Sequence, residues 1–406
     1  MTKRLDPEKH SWMTAEPTCA VMAALTKDGG EARFVGGAVR NALIGAKVDE
    51  VDIATPLTPD EVTRRLEAAG LGAVPTGIEH GTVTAIAFGR PFEVTTLRRD
   101  VSTDGRRAVV AFTKDWNEDA QRRDFTMNAL YASADGALFD SVGGVADLEK
   151  GRVRFIGDAA ARIREDYLRI LRLFRFHAWY GKGPLDESAM AAAAAGKAGL
   201  AQLSGERIQK EMLKLLAAPD PMPVLLEMAT RGILMEILPH GLRLDRLSRM
   251  VEIDNANNLA ADPILRLAAL LPDTLFSILE CADRFRLSNA DRERILTAAQ
   301  TIGFLTNARD ARRHIYKLGP NGFRDFLRFR WASEVGAPDW PALLRMADTW
   351  IAQEFPINGN DVMAAGIPEG PRIGNTLLIL EDWWIEQDFR PDRLALLARL
   401  KDLSKN

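Results

Sequence analysis

Residues 34–40 read FVGGAVR and residues 50–52 read EVD, and this part of the chain is the most informative about its architecture. The first run predicts a short strand that passes through Gly36 and Gly37 into a helix. Two glycines at such a junction let backbone N–H groups approach a phosphate, and the helix dipole favours an anion there. Arg40, one turn into the helix, can pair with a phosphate oxygen. The run therefore predicts a phosphate site, although paired glycines also occur in plain tight turns.

The EVD run adds a candidate metal site. Side chains two positions apart on a strand share a face, so Glu50 and Asp52 are expected to direct their carboxylates to one spot, with Asp49 on the opposite face. Mg²⁺ prefers oxygen ligands and usually shares them with substrate phosphates. Glu93, on a later strand, is a candidate third carboxylate. An acidic pair on an edge strand is also often a solvated face, so this prediction depends on the neighbouring phosphate site.

Composition excludes several classes of protein. The 406 residues contain 53 Lys+Arg and 56 Asp+Glu, a net charge of −3, which argues against a histone-like nucleic-acid binder but allows local basic patches. Cys19 and Cys281 stand far apart and the five histidines are scattered, which argues against a disulfide framework and a structural zinc site. We find no apolar targeting segment and no apolar run of about 18 residues. A cytoplasmic protein without a membrane partner is expected.

The order of strand and helix signals predicts an α+β fold. Strands and helices mix from Arg33 to Tyr131, and helical periodicity dominates after the Gly143-Gly144 turn. The polar stretch from Arg98 to Arg107 is predicted to be a long exposed loop. We expect an N-terminal head with a small mixed sheet, followed by an all-α neck, body and tail. The expected divisions are a lead-in over 1–18, the head over 19–140, the neck over 141–218, and the body and tail over 219–406.

Two further groups of residues are candidates for nucleotide binding. Residues 122–129 read RRDFTMNA, and an Arg-Arg-Asp run at the start of an amphipathic helix can hold phosphate and ribose. Asp166, Arg169 and Arg172, with Arg175 further round, are spaced by three and are expected on one helix stripe. Such a stripe can present donors and acceptors to the Watson–Crick edge of a base. A salt-bridged surface and an ion-pair ladder remain the alternative interpretations.

Together these motifs resemble the class II tRNA nucleotidyltransferases, the CCA-adding enzymes and bacterial poly(A) polymerases of the polymerase-β superfamily. The resemblance covers residues 33–216. It includes DSVGGVADL at 140–148, similar to the hinge between head and neck, and SGERI at 204–208, similar to the motif that closes the neck. It implies template-independent addition of CCA to the 3′ end of tRNA from CTP and ATP, with Mg²⁺ as cofactor.

The resemblance also implies roles for individual residues. Glu50 and Asp52 would be the metal-binding and catalytic acids, with Glu93 as a further catalytic carboxylate. The implied nucleotide-binding residues are Gly36, Gly37 and Arg40 for the triphosphate, Arg123 and Asp124 for the incoming nucleotide and its ribose, Asp166 and Arg169 as the template that reads CTP and ATP, and Arg172 and Arg175 as support. Two positions depart from the family pattern, because Glu50 and Asn41 stand where Asp is usual.

Several alternatives stay open within and beyond this family. A poly(A) polymerase usually carries a basic C-terminal extension and Pro-Val where this chain has Tyr167-Leu168. The resemblance implies that the stretch from Arg98 to Phe112 forms a flexible loop that CCA-adding enzymes need for the terminal adenosine, and a CC-adding enzyme lacks much of this loop. Glu50 also allows a weakly catalytic RNA-binding protein. Ten basic against four acidic residues over 285–330 predict a tRNA-binding or a solvated helical surface. The oligomeric state, monomer or dimer, is left open.

Overall fold

The computed structural model describes residues 4–104, 107–300, 305, 307–334, 336 and 338–404. Contacts divide the chain into two compact units, Met1–Pro239 and His240–Asn406. Every described strand lies in the first unit and the second is helical, which confirms the predicted α+β class. No helix within the described ranges has the length and apolar character needed to cross a bilayer. The finer division into lead-in, head, neck and body stays a prediction.

The first unit is built on a mixed seven-stranded sheet with the order β3-β4-β5-β2-β1-β8-β9, and a separate antiparallel pair, β6-β7, stands beside it. In this sheet only β2 and β5 run parallel to each other. The described strands are β1 Arg33–Val35, β2 Asp52–Thr55, β3 Gly72–Gly77, β4 Thr82–Ala87, β5 Arg90–Thr96, β6 Arg98–Asp104, β7 Arg107–Phe112, β8 Tyr131–Ala132 and β9 Leu138–Phe139.

Eleven described helices accompany the strands in the first unit. They are α1 Ser11–Thr14, α2 Glu16–Thr26, α3 Gly37–Leu43, α4 Pro59–Ala68, α5 Trp116–Gln121, α6 Gly144–Glu149, α7 Ala159–Glu165, α8 Leu168–Tyr180, α9 Glu187–Gly196, α10 Gly205–Leu216 and α11 Met222–Thr230. The start of α4 follows from its sequence, because the Thr58 hydroxyl accepts the Glu61 N–H and Pro59 occupies the first turn. Helices α1 and α2 both begin inside the segment expected to be a polar lead-in.

The register of the sheet places two acidic residues side by side. In the parallel pair, Asp52 of β2 lies opposite Glu93 of β5. In the antiparallel pair, Asp52 lies opposite Val35 at the end of β1. Because β1 runs directly into Gly36 and α3, the sheet brings the start of β2 next to the junction of strand and helix. The acids and the glycine pair therefore share one edge of the fold.

The expected long loop from Arg98 to Arg107 is wrong for residues 98–104 and 107, which form strands, while residues 105–106 lie outside the described part of the chain. Strands β6 and β7 run antiparallel, with Arg98 opposite Phe112 and Asp104 opposite Arg107. The stretch looked too polar for a core element, but a two-stranded ribbon does not need a buried face along its whole length. Its β-branched residues suit a strand, and backbone pairing, which hydropathy does not report, holds the ribbon together.

The second unit consists of helices throughout its described residues. They are α12 Leu244–Ala256, α13 Pro263–Leu270, α14 Leu275–Phe285, α15 Asn289–Ala298, α16 Ala308–Ser333, α17 Trp340–Asp348, α18 Gly359–Ala364, α19 Pro371–Glu386 and α20 Arg393–Ser404. Helix α16 is interrupted at Gly319, which has φ 70° and precedes Pro320. At the centre of the unit a buried Asp254 binds Arg266 at 3.1 Å and Arg328 at 2.5 Å.

The basic stretch over 285–330 carries less free charge than its sequence suggests. Most of its cations pair with acids that lie elsewhere in the chain. Seven of the ten do so, namely Arg294 with Asp262 at 2.7 Å, Arg312 with Asp388 at 2.6 Å, Lys317 with Asp382 at 3.0 Å, Arg324 with Asp348 at 2.6 Å, Arg328 with Asp254 at 2.5 Å, Arg292 with Asp283, and Arg330 with Glu334. Counting acids only within the window therefore overestimates the local positive charge.

Gly144, at the start of α6, packs closely against the backbone of Thr126, and a substitution can test this contact. A Cβ on Gly144 would lie 2.1 Å from the backbone oxygen of Thr126 and 2.7 Å from its carbonyl carbon. Since backbone cannot give way as a flexible side chain does, Gly144→Ala should lower the free energy of unfolding by about 3 kcal/mol. Denaturant unfolding followed by circular dichroism measures this.

The matched control is Gly374→Ala inside α19, where an added Cβ has no described atom within 4 Å. This variant should keep or raise the free energy of unfolding, by at most about 1 kcal/mol, because alanine is the better helix former. Equal unfolding midpoints for Gly144→Ala and the unmodified chain would contradict the close contact at α6.

Candidate active site

The predicted catalytic acids meet at one cavity. Asp52 opens β2, Glu93 lies opposite it on β5, and Glu50 precedes the strand. All three line a cavity of about 580 Å³, together with Asp49. The expected placement of Glu50 and Asp49 on opposite strand faces assumed that the strand includes them, but β2 begins only at Asp52, so strand alternation does not apply to either residue. Asp49 instead pairs with Lys47 at 2.6 Å.

The carboxylates of this cavity repel one another. Burial, followed by the charges of Glu93 and Glu50, raises the pKa of Asp52 to about 6. A divalent cation would relieve this repulsion. Within the described part of the chain, no three His, Cys, Asp or Glu side chains lie close enough to enclose a metal ion. The carboxylates of Glu50 and Asp52 are oxygen donors, the kind of ligand that hard divalent cations take.

The glycine pair forms a tight junction beside these acids. Gly36 has φ 65°, a left-handed conformation that favours glycine, and its carbonyl accepts the Arg40 N–H at 3.0 Å. The Arg40 guanidinium is buried and donates to the Asn128 Oδ1 at 2.6 Å, the Tyr180 hydroxyl at 2.9 Å and the Asn41 Oδ1 at 3.0 Å. Arg40 is thus held in a fixed position beneath the junction by protein partners.

The RRDFTMNA run does not begin a helix. Arg122 ends α5, and only Thr126–Asn128 forms a short 3-10 turn. The backbone bonds elsewhere instead, because the Thr126 N–H donates to the Arg154 carbonyl at 3.1 Å and the Asp124 carbonyl accepts the Ile156 N–H at 3.0 Å. The predicted helix start is therefore wrong, and the reason is this pairing with residues 154–156, which are distant in sequence.

A buried acid that the sequence analysis missed positions the two arginines. The Asp119 side chain is 1% exposed and binds Arg122 at 2.7 Å and Arg123 at 2.9 Å. The Tyr131 hydroxyl donates to it at 2.7 Å. Burial alone would raise the pKa of Asp119, but Arg123, Arg122 and Tyr131 hold it at about 2. The sequence spacing could have predicted these ion pairs, because Asp119 precedes the two arginines by three and four residues, the spacing of neighbours on a helix.

Asp124 connects residues 124–128 to helix α8. Its Oδ2 accepts the Arg172 Nε at 2.7 Å, and its Oδ1 accepts the Phe125 N–H at 2.8 Å and the Asn128 Nδ2 at 3.0 Å. Burial alone would raise the pKa of Asp124, but Arg172 and these hydrogen bonds hold it at about 2. Both carboxylate oxygens are therefore engaged by the protein.

The expected stripe of Asp166 and three arginines is not a continuous ion-pair ladder. Asp166 lies between α7 and α8 in an extended conformation, φ −158° and ψ 108°. Its Oδ2 binds Arg207 of α10 at 2.7 Å rather than Arg169. Arg169 binds Glu165 and donates to the Arg162 carbonyl at 3.0 Å. The predicted spacing thus held for the arginines of α8 but not for Asp166.

Helix α10 contributes a second acid that the sequence analysis missed. The buried Glu211 binds Arg175 at 2.7 Å and lies 3.8 Å from Arg172. Its identity was not predictable from local spacing, because it faces α8 from a different helix.

Cationic side chains from α3, α8 and α10 lie near one another around Asp124 and Glu211. Burial lowers the pKa of Arg40, and the charge of Arg172 lowers it further. Burial also lowers the pKa of Arg175, with Arg172 and Arg40 adding to the effect. The pKa of Lys214 is lowered by burial and then by Arg175. The region therefore carries more positive charge than Asp124 and Glu211 balance, which suits a polyanion such as a triphosphate.

Comparisons with known proteins agree with this arrangement. Residues 32–154 match the Poly A polymerase head domain, and residues 184–243 match a probable RNA and SrmB-binding site of polymerase A. CCA tRNA nucleotidyltransferase 1, mitochondrial, of Mus musculus is 34% identical over 98% of this chain and 93% of its own length. The chain belongs to the CCA tRNA nucleotidyltransferase family. The CCA-adding enzyme of Levilactobacillus brevis is 30% identical over 94% of this chain and 96% of its own length.

Solved structures of this family share the fold. The crystal structure of the Bacillus stearothermophilus CCA-adding enzyme in complex with CTP has a TM-score of 0.78 and 26% identity, and the match covers 96% of this chain and 97% of that one. Membership makes the protein a nucleotidyltransferase, and nucleotidyltransferases of this kind use divalent metal ions. The head-domain match includes Gly36, Glu50, Asp52 and Asp124.

The Asp124 carboxylate gives this site a measurable pH dependence. The group protonates near pH ~3.9 in an unfolded chain and at about 2 in the folded protein. Ionised Asp124 therefore contributes about 2 kcal/mol of stability above pH ~4, and this contribution is lost as the pH falls towards ~2. Between pH 5 and pH 3, the unmodified chain should lose about 1 kcal/mol more unfolding free energy than Asp124→Asn, measured by urea denaturation. Parallel pH profiles would contradict the ion pair.

Proposed function

We propose that this protein adds CCA to the 3′ end of tRNA, using CTP and ATP and releasing pyrophosphate. The observation that supports this most is that Glu50 and Asp52 line one cavity, in a chain that belongs to the CCA tRNA nucleotidyltransferase family. Arg172 and Arg175 are held by Asp124 and Glu211, and Arg40 is linked to Asp124 through Asn128. Cations suited to a triphosphate and acids suited to a metal ion are the two requirements of nucleotidyl transfer.

Glu50 and Asp52 would hold Mg²⁺, with Glu93 as a further catalytic carboxylate beside Asp52. When bound, the ion would lower the pKa of the attacking hydroxyl and would stabilise the negative charge on the transferring phosphoryl group and on pyrophosphate. The extra methylene of Glu50 lets its carboxylate reach further from a segment that precedes the strand.

The triphosphate would lie against the glycine junction and the cation cluster. Gly37 offers its backbone N–H at the start of α3, whereas the Gly36 N–H already donates to the Leu130 carbonyl at 3.0 Å, so Gly36 would contribute a close approach without a side chain in the way. Arg40 adds positive charge from one turn into α3. Arg123, fixed by Asp119, faces the same junction, because a Cβ on Gly36 would lie 3.8 Å from its guanidinium. Arg172 and Arg175 support the site from α8.

Asp166 and Arg169 would select the base. Cytosine and adenine each present an amino donor next to a ring-nitrogen acceptor, so one carboxylate and one guanidinium can read both. Uracil and guanine present the opposite pattern. Arg207 and Glu165 hold these two residues in place, which limits the conformations available to the pair. Asp124 would lie near the ribose, and the β6-β7 ribbon occupies the stretch expected to serve the terminal adenosine.

We also propose a cytoplasmic location. Cys19 is an exposed thiol that forms no disulfide, which fits a reducing compartment. Relatives from Mus musculus and Homo sapiens are named mitochondrial, so fluorescence localisation of the full chain is the relevant experiment.

Replacing the central acid tests the assignment of the metal site. Asp52→Ala should lower the rate of nucleotide addition at least about 100-fold, because a metal ligand is lost, while tRNA affinity changes little. Primer extension and filter binding measure the two quantities. Glu67→Ala, on the exposed face of α4, is the control and should retain the full rate. An active Asp52→Ala enzyme would overturn the assignment.

The reaction itself is tested by primer extension with Mg²⁺ on three RNAs, namely tRNA lacking its 3′ end, tRNA ending in CC, and oligo(A). Each receives CTP, ATP or both, and the products are sequenced. Addition of CCA followed by a stop is the expected result. A long tail on oligo(A) would indicate a poly(A) polymerase, and cytidines without adenosine would indicate a CC-adding enzyme. Tight tRNA binding without extension would indicate an RNA-binding protein.

Base selection gives a separate prediction. Asp166→Ala removes the carboxylate that would accept from the amino groups of both bases, so kcat/KM for CTP and ATP should fall about 10- to 100-fold relative to UTP. Single-nucleotide incorporation assays measure this ratio. An unchanged preference for CTP over UTP in Asp166→Ala would exclude Asp166 from base selection.

A further inference from the structure

The Asn41 side chain bonds to Arg40 and to the segment that precedes Glu50. Its Oδ1 accepts the Arg40 Nη2 at 3.0 Å and the Arg40 Nε at 3.2 Å, on the side of the cation cluster. Its Nδ2 donates to the Lys47 carbonyl at 3.0 Å, in the segment that leads to Glu50. One side-chain amide thus connects an arginine placed beside the triphosphate with the segment that carries a proposed metal ligand.

The chemistry of the two partners determines which way the amide faces. A guanidinium can only donate hydrogen bonds and a carbonyl can only accept them, so Oδ1 must face Arg40 and Nδ2 must face Lys47. An aspartate at position 41 could still accept from Arg40. It would place a second acceptor against the Lys47 carbonyl and lose that bond. The asparagine therefore serves both contacts, whereas a carboxylate serves one.

The segment before β2 depends on this residue for its attachment. Glu50 lies outside the strand, so it gains nothing from the sheet ladder. In the part of the chain that the structure describes, two hydrogen bonds tie residues 46–50 to the rest of the fold, and both end on Asn41. They are the Nδ2 bond to the Lys47 carbonyl and the bond from the Ala46 N–H to the Asn41 carbonyl at 2.8 Å.

From this geometry we infer that Asn41 is a positioning residue for Glu50, a conclusion that rests on the proposed function of the carboxylates. Glutamate has one more rotatable bond than aspartate, so the position of its carboxylate depends strongly on where the backbone is held. The Asn41 side chain fixes that backbone three residues before Glu50. The same amide also bonds to the Arg40 guanidinium. One side chain therefore holds both the segment that carries Glu50 and the arginine proposed to bind phosphate.

Direct binding of Mn²⁺, followed by electron paramagnetic resonance of the free ion, tests this inference in the full chain without nucleotide or tRNA. Asn41→Ala should raise the Kd for Mn²⁺ about tenfold, the size typical of lost support behind a metal ligand. In a Glu50→Ala background the same substitution should have no further effect, because the residue acts through Glu50. Thermal unfolding of each variant verifies that it is folded.

Two further variants separate the contacts. Asn41→Asp retains the acceptor for Arg40 but not the donor for Lys47, and it should also weaken Mn²⁺ binding. Lys47→Ala removes only the side chain that pairs with Asp49, keeps the backbone carbonyl, and should change the Kd less than about twofold.

The outcomes distinguish this inference from the proposed function. Equal losses from Asn41→Ala with and without Glu50, or wild-type affinity in Asn41→Asp, would overturn the positioning role while leaving the metal site intact. Mn²⁺ binding that is insensitive to Asp52→Ala and Glu50→Ala would instead overturn the proposed metal site.

Discussion

The ion pair between Asp124 and Arg172 is the contact on which the rest of the site depends. It joins the sheet-bearing head to α8 at 2.7 Å, and Asp124 is almost fully buried. Around it, Asn128 connects Asp124 to Arg40, while Glu211 connects Arg172 to Arg175. Removing one partner of such a pair leaves an uncompensated buried charge, which costs about 3–5 kcal/mol. The cations at the site are therefore positioned by one connected set of acids and amides.

Local sequence patterns were sufficient where the structure depends on near neighbours. The strand-to-helix passage through Gly36 was predicted from the FVGGAVR run, and the start of α4 follows from Thr58 and Pro59, which lie next to each other in the sequence. The meeting of Asp52 with Glu93 was also anticipated, because both acids were placed on strands of one small sheet. Predicting these features requires only the periodicity of apolar residues, the helix-capping residues and the residues that favour turns.

Predictions failed where a distant part of the chain competes for the same groups. The helix expected at Arg122 is displaced by backbone pairing with residues 154–156. Asp166 lies outside α8 and forms an ion pair with Arg207, which is 41 positions further along the chain. The β6-β7 ribbon was missed because hydropathy does not report the backbone pairing between its two strands. Glu211 carries no local signal, because its partners lie on another helix.

The unbalanced cations around Arg40 have a consequence for the protein before it meets its substrate. Like charges in a partly buried region oppose folding, and Arg40 and Arg175 each show this through a pKa that burial and neighbouring cations lower. A bound triphosphate would supply the missing counter-charge. Under the proposed function the nucleotide is thus a component of the folded interior as well as a reactant, and cellular CTP and ATP would act as stabilisers of the enzyme that consumes them.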